Sequence, residues 1–309
     1  MNKIPIIVIG GPTASGKTSL SIELAKLFDT EIVSCDSMQI YKYMNIGTAK
    51  PDMEERDGIV HHMLDIIKPD EPYSVADFVT DAHKVIEEIN QKGKVAVAVG
   101  GTGLYINSLV NDVDFRKDDS SPELRKELEE TEKEKGIDYL VEMLKSFDTV
   151  SAERIHKNNK RRIIRAIEFY KMTGVPISEH QEETKRKISR YNPCMMAIKW
   201  DMQKLYERIE KRVDIMLDMG LVDEVKALCE KGYADSMLSM QGIGYKEIIA
   251  YLKGEVSLDE AIYNIKTGTR HYAKRQMTWF NKDERINWIK YDEDILKKAK
   301  EIISSWGGM

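Results

Sequence analysis

A continuous apolar run, Ile4 to Ile9 (IPIIVI), meets a glycine turn and then a segment of helical spacing, SLSIELAKLF at 19–28. The run is rich in β-branched residues and does not alternate, which is how a strand buried on both faces reads. Between strand and helix stands Gly11-Pro12-Thr13-Ala14-Ser15-Gly16-Lys17-Thr18, which satisfies Gly-x-x-x-x-Gly-Lys-Ser/Thr at every position. The glycines let successive backbone N–H groups turn toward phosphate oxygens. Lys17 supplies a mobile positive charge, and the Thr18 hydroxyl is a ligand for Mg2+. The following helix adds its positive end. Such a unit takes a phosphate or a pyrophosphate, and the compound need not be a nucleotide.

The rest of the chain alternates in the same way. EIVSC (31–35), VAVAVGG (95–101), CMMAIKW (194–200) and INWIKY (286–291) read as strands, with helical segments such as VIEEINQKG and LYERIEKRVDIMLDMG between them. Parallel strands need crossover connections, so this order predicts a parallel α/β sheet. From Arg116 to Tyr191 no strand is evident. PELRKELEETEKEKG, YLVEMLKSF and RRIIRAIEFYKMTG read as amphipathic helices, the last stopped by Gly174 and Pro176. We therefore expect an α/β core formed by 1–115 and 192–309 and an all-helical insertion over 116–191.

The 309 residues suffice for a large core, and 42% hydrophobic with 32% charged residues argues against both wholesale disorder and an integral membrane protein. Cys35, Cys194 and Cys229 are far apart and form no CxxC pair, which excludes a zinc ribbon and a disulfide scaffold. Ile4–Ile9 is too short for a membrane span and no small-residue cleavage site follows it, so a cytoplasmic protein is expected. The net charge of −5 hides an asymmetry. Residues 151–190 hold 11 Lys and Arg against 5 Asp and Glu, a net of +6, on a body of net −11. A polyanion meeting that segment is the natural reading.

A phosphate loop in an ATPase or GTPase is usually accompanied by an acid at the end of a later strand. Here VAVAV ends in Gly100-Gly101-Thr102-Gly103, without an acid. The acid instead ends the second strand, as Asp36; HMLDI offers Asp65 on a run that is only weakly strand-like. At the carboxyl edge of the sheet Asp36 suits a general base, and equally a cap or turn aspartate; spacing alone leaves both open. The second glycine turn at 100–103 suggests backbone in close approach to a ligand. His61-His62 is no metal pair, because adjacent residues point apart on a strand and no carboxylate lies at ligand spacing.

GPTASGKT (11–18), DSMQIYKYMNIGTAKP (36–51), HHMLDI (61–66), GGTGLYI (100–106), QGIGYKE (241–247) and TRHYAKRQMTWF (269–280) occur in that order. Together they resemble the bacterial tRNA dimethylallyltransferases, also called tRNA isopentenyltransferases, over nearly the whole chain. The resemblance implies a P-loop NTPase-like parallel sheet with a helical insertion. It also implies transfer of the dimethylallyl group of dimethylallyl diphosphate to the exocyclic amine of the adenosine just 3′ of the anticodon, in tRNAs reading U-starting codons. Carried over residue by residue, it makes Asp36 the base, Thr18 the magnesium ligand, and Lys17 with the loop amides the diphosphate site. Thr102 lies in the other contact turn, and Arg212 (in YERIEKR) reaches the diphosphate. The implied tRNA anticodon stem-loop contacts are Asp36, Ser37, Met38, Gln39 and Thr102; Arg125, Arg161, Arg162 and Arg165 of the insertion; and Gln241, Tyr245, Lys246, Lys274, Arg275, Gln276 and Trp279. A monomer is implied. This chain departs from the family where Asp148 precedes Thr149 in place of a proline, and where Asn158-Asn159 precedes the arginine pair.

A diphosphate leaving group fits the residues independently: it requires a phosphate cradle but no γ-phosphate sensor. Three other readings compete. A transferase acting on free adenine nucleotides would not need the basic insertion. A small-molecule kinase would place an acid after VAVAV. An RNA-binding module with a dead cradle would not keep Lys17, Thr18 and Asp36.

Overall fold

A computed structural model of the chain describes residues 3–113, 115 and 121–308. The chain divides into two compact units, Met1–Val110 with Arg190–Met309, and Asn111–Ser189. Residue 116, the expected start of the insertion, lies outside the described residues.

The first half of the larger unit runs β1 (Ile4–Gly10), α1 (Lys17–Leu27), β2 (Ile32–Ser34), α2 (Met53–Arg56), β3 (His61–His62), α3 (Val75–Gln91), β4 (Ala96–Val99) and α4 (Gly103–Val110). The smaller unit holds α5 (Pro122–Lys135), α6 (Ile137–Lys145), α7 (Thr149–Arg154), α8 (Lys160–Thr173) and α9 (Ile177–Arg186). The larger unit resumes with β5 (Tyr191–Lys199), α10 (Met202–Asp218), α11 (Leu221–Glu230), α12 (Tyr245–Leu252), α13 (Leu258–Phe280), β6 (Asn287–Lys290) and α14 (Ile295–Trp306).

Among the described residues six strands form one sheet in the order β3-β2-β4-β1-β5-β6, and each neighbouring pair is parallel. β1 is central, and Ile6, Ile7 and Ile9 are fully buried, as its unbroken apolar run requires. Register decides where the loops end up. Ile9 pairs with Val99 and Ser34 also pairs with Val99, so β1, β2 and β4 finish level with one another. The glycine loop after β1, Asp36 after β2 and the Gly100–Gly103 turn after β4 therefore share one sheet edge. The backbone pins them there: Gly100 N–H donates to Ile9 O at 3.1 Å, and Cys35 N–H donates to Val99 O at 2.7 Å.

One face of the sheet packs Leu20, Leu24 and Ala25 of α1 and Ala299 and Ile303 of α14 against Ile7, Ile9, Met196 and Ile198. A second cluster gathers Val213, Leu221, Leu228, Tyr245, Ile248 and Ile265 from α10 to α13 around Ile40, Tyr41 and Met44. In the smaller unit Leu128, Leu140, Leu144, Ile163, Ile164 and Ile167 form a separate core. Among the described residues no helix is long and apolar enough to cross a membrane.

Candidate active site

α1 is preceded by Gly16, whose φ of 90° only glycine adopts without strain, and no side chain caps the helix. Its first-turn N–H groups are thus left for an anion. The loop ahead of it is fastened from outside. Trp200 Nε1 donates to Ser15 O at 3.0 Å, Arg208 Nε donates to Ala14 O at 2.8 Å, and Lys17 Nζ donates to Pro12 O at 3.0 Å. The Thr13 N–H, in contrast, is spent on Gln276 Oε1 at 2.9 Å, which removes that amide from the expected phosphate ligands.

Lys17, Thr18, Asp36 and Arg212 line one cavity of about 430 Å³, a size suited to a small ligand. Arg212 Nη1 lies 3.4 Å from the Thr13 hydroxyl, and Nη2 lies 3.4 Å from Ala49 O. Burial, with Arg212 beside it, lowers the Lys17 ammonium to about 8, while Asp36 pulls the other way. Burial likewise opposes the Arg212 charge, and Asp36 supports it. Asp36 Oδ1 accepts the Met38 N–H at 2.9 Å, an Asx turn that leaves its other oxygen outside this bond. The cap reading and the base reading are thus compatible.

Thr102 reaches the site through its neighbours: its hydroxyl accepts the Ser37 N–H at 3.1 Å and donates to the Ser37 hydroxyl at 3.3 Å. Burial and Asp36 together push the Tyr272 phenol up to about 12, so it remains protonated. The second glycine turn is a matter of close approach. A Cβ on Gly100 would lie 2.2 Å from Cys35 O, one on Gly101 2.2 Å from Gln276 Nε2, and one on Gly103 2.0 Å from the Trp279 ring.

The wall formed by 45–49 hangs on Glu224 of α11. Its carboxylate accepts the N–H groups of Asn45, Ile46 and Gly47 at 2.9, 2.8 and 3.1 Å, and the Tyr245 hydroxyl at 2.7 Å. Lys50, its side chain 3% exposed, bonds Asp65 at 2.6 Å and Tyr41 O at 2.7 Å. Asp65 is therefore a loop anchor, not an acid at the phosphate loop. His62 Nε2 meets Glu31 at 2.7 Å and His61 Nδ1 meets Ile59 O at 2.9 Å, two unrelated structural contacts.

A family model described as IPP transferase matches residues 39–283 of this chain, well over half of it. The chain belongs to the IPP transferase family. The tRNA dimethylallyltransferase of Acetivibrio thermocellus is 54% identical over 307 residues, covering 98% of each protein. The crystal structure of the tRNA isopentenylpyrophosphate transferase of Bacillus halodurans is similar with a TM-score of 0.73 and 41% identity, across 99% of this chain and 97% of that one. A eukaryotic dimethylallyltransferase, in a structural study of its action on tRNA, gives a TM-score of 0.84 at 32% identity, across 98% of this chain and 80% of the other.

Several of the residues expected to contact RNA are engaged within the protein. Tyr245 is fully buried and its hydroxyl is taken by Glu224, so it cannot touch RNA. Gln276 is only 5% exposed, with its amide spent on Thr13 and on Gly101 O at 2.9 Å. Gln39 lines the cavity, but its Nε2 donates to Thr48 O and Ala49 O and its Oε1 accepts the Ser34 hydroxyl. In the smaller unit, Arg125 and Arg165 both bond Glu168, a carboxylate with no exposed surface, at 2.9 and 3.1 Å. Arg161 and Arg162 remain exposed at the start of α8. Ser37, Met38, Gln241 and Lys246 line the cavity, Lys274 is exposed on α13, Arg275 stands over the Tyr272 ring, and Trp279 is partly exposed.

Trp200, Arg208, Glu224 and Tyr272 went unrecognised in the sequence. Arg208 had a legible signal: it lies four residues before Arg212, on the same helix face. Among the described residues no group of three or more His, Cys, Asp or Glu forms a metal cluster. The donor chemistry present, a Thr18 hydroxyl beside a phosphate cradle, fits Mg2+ brought in with a diphosphate, because that ion keeps several waters and takes few protein ligands.

Proposed function

We infer that this enzyme transfers the dimethylallyl group from dimethylallyl diphosphate to the exocyclic amine of the adenosine 3′ of the anticodon, in tRNAs reading U-starting codons. Isopentenyladenosine and diphosphate are the products. The observation that carries this reading is the shared cavity: Asp36 faces the same 430 Å³ as Lys17, Thr18 and Arg212, and apolar side chains including Val213, Met216 and Ile265 line the same space.

The chemistry follows from the placement. The C1–O bond of the donor breaks and a bond forms between C1 and the adenine amine. That amine is a poor nucleophile whose N–H becomes acidic as the bond forms, and the Asp36 carboxylate takes the proton. Negative charge grows on the departing diphosphate, where Lys17, Arg212 and the uncapped start of α1 stabilise it. Mg2+, held by Thr18 and the diphosphate oxygens, would neutralise part of the same charge. Tyr272, a neutral phenol, lines the same cavity. Such a base must leave its stack, which a loop nucleotide does readily.

Exposed Arg161 and Arg162 supply phosphate contacts for the RNA, and Lys246, Lys274 and Arg275 extend that role in the larger unit. The kinase reading lacks its acid, since Gly100-Gly101-Thr102-Gly103 follows VAVAV and Asp65 is tied to Lys50. The test is incubation of labelled dimethylallyl diphosphate with an anticodon stem-loop carrying the target adenosine. Label on the RNA is expected. Label confined to free AMP would favour the adenine-nucleotide transferase.

A further inference from the structure

α10 and α13 flank the cavity, and each changes character along its length. On α10, Arg208 and Arg212 touch the phosphate loop, and Val213 and Met216 line the cavity beyond them. On α13 the order runs the other way: Gln276 bonds the loop, Tyr272 follows, and Ile265 lines the far end. The spacings 209, 212, 213, 216 and 265, 269, 272, 276 keep each set on one helix face. With a rise of about 1.5 Å per residue, Met216 stands about 6 Å past Arg212, and Ile265 about 10 Å from Tyr272. At that far end Val213 and Ile265 are each 2% exposed within a packed cluster, and Met216 and Ile243 rest against it.

We propose that Met216, with Ile265 and Ile243, forms an end wall that limits the donor to a single isoprene unit. This rests on the prenyl-transfer reading above. A donor anchored by Arg212 at its phosphates has no polar group beyond C1, so its tail belongs with the apolar end. One isoprene unit is comparable in length to one turn of helix, so a dimethylallyl tail fills the step that separates Arg212 from Met216. A ten-carbon tail on the same anchor runs into the wall. The wall is continuous with close-packed core and cannot retreat by a helical turn. Met216 is its adaptable member, unbranched and half-buried, so shortening it opens space while Val213 and Ile265 keep the cluster closed. Transfer from the longer donor balances as before: C1–O breaks, C1–N forms, the amine proton passes to Asp36, and diphosphate leaves.

The experiment uses the full chain, an anticodon stem-loop, and dimethylallyl and geranyl diphosphate in parallel, with adduct mass as the readout. Wild type is expected to prefer the shorter donor by about 10²-fold or more in kcat/KM. Met216→Ala should raise the geranyl-to-dimethylallyl ratio at least about tenfold, the scale of a few methylenes in a pocket. Ile243→Ala, in a loop and outside the buried core, carries the same expectation should Met216→Ala fail to fold by circular dichroism. Wild type using both donors equally well overturns the proposal without any variant. So do folded variants that transfer dimethylallyl and leave the ratio unchanged. No transfer from either donor by wild type overturns the prenyl-transfer reading itself.

Discussion

Gln276 accepts the Thr13 N–H at 2.9 Å and, through the other end of the same amide, donates to Gly101 O at 2.9 Å. One buried side chain thus joins the phosphate loop to the second glycine turn. Gln276→Leu leaves the half-buried Thr13 N–H and the buried Gly101 carbonyl without partners, at a cost of about 1–3 kcal/mol for the carbonyl. Gln276→Glu would instead set a buried negative charge against the Gly101 carbonyl and beside the diphosphate site, which costs more than a lost neutral donor. The leucine variant should therefore melt lower than wild type and show a raised KM for the donor, and the glutamate variant should show the larger rise in KM. A leucine variant that melts with wild type would show that the two bonds contribute nothing.

Asp36 both turns the chain at Met38 and faces the cavity, and two substitutions separate those roles. Asn retains an acceptor for the Met38 N–H but cannot take a proton from the amine. Asp36→Asn should lower kcat by roughly 10²-fold or more, the usual scale for a lost general base, with RNA affinity little changed. Turnover near wild type would remove Asp36 from the proton transfer.

Lys17 gives the donor site a pH dependence of definite sign. Its ammonium is lowered to about 8, so it is charged below that value and loses the charge above it. Bound diphosphate favours the charged form, and binding above pH 8 must take up a proton. Donor Kd should be flat below about pH 8 and rise up to about tenfold per pH unit beyond it. Calorimetry in buffers of different ionisation enthalpy checks the proton uptake. In Lys17→Arg, whose charge does not titrate in this range, the slope should vanish.

How much of this was legible depended on distance along the chain. The phosphate loop, the strand–helix alternation and Asp36 at a strand end are patterns written within a few neighbouring residues, and the sheet register aligned them. The fastenings were not legible, because each joins residues far apart: Gln276 and Thr13 are separated by 263 positions, Glu224 and Asn45 by 179, Arg125 and Glu168 by 43. A family motif marks such residues without saying whether they face a ligand or the core. That is why Tyr245, Gln276, Arg125 and Arg165 read as RNA contacts in sequence and are engaged within the protein in three dimensions.

The arginines of the smaller unit offer a direct contrast. Arg161 and Arg162 are exposed, whereas Arg125 and Arg165 hold the buried Glu168. Arg161→Ala with Arg162→Ala should weaken RNA binding and reduce the slope of log K against log salt by about 1–2, as lost phosphate contacts do, without lowering the melting temperature. Arg125→Ala should do the opposite, lowering thermal stability with little effect on the salt slope. Filter-binding titrations between low and moderate salt, alongside thermal melts, distinguish the two. A salt slope unmoved by the double substitution would return the start of α8 to an ordinary solvated face.

Asp148 and Glu168 make the smaller unit sensitive to acid. Burial on its own would raise the Asp148 carboxyl, but hydrogen bonds from Ser151 and Ser178 outweigh it and hold the group below its usual 3.8. For Glu168 burial is likewise outweighed, here by Arg125, the Ser121 N–H and Arg165, and the group lies below its usual 4.5. A carboxylate lowered in the folded state binds fewer protons there than when unfolded. Its stabilising contribution is complete above the ordinary carboxylate range and is lost as pH falls through that range toward the lowered value. Asp148→Asn removes the charge at the starts of α7 and α9 while keeping the shape, and at pH 7 should cost about 1–3 kcal/mol. Below the usual 3.8 the unfolded chain takes up the proton that the folded carboxylate refuses, so the gap between the two proteins should narrow toward pH 3. Denaturant unfolding of the full chain, followed at both pH values, measures the gap. A gap of the same size at pH 7 and pH 3 would mean that the substitution acts through packing and not through the ionised carboxylate.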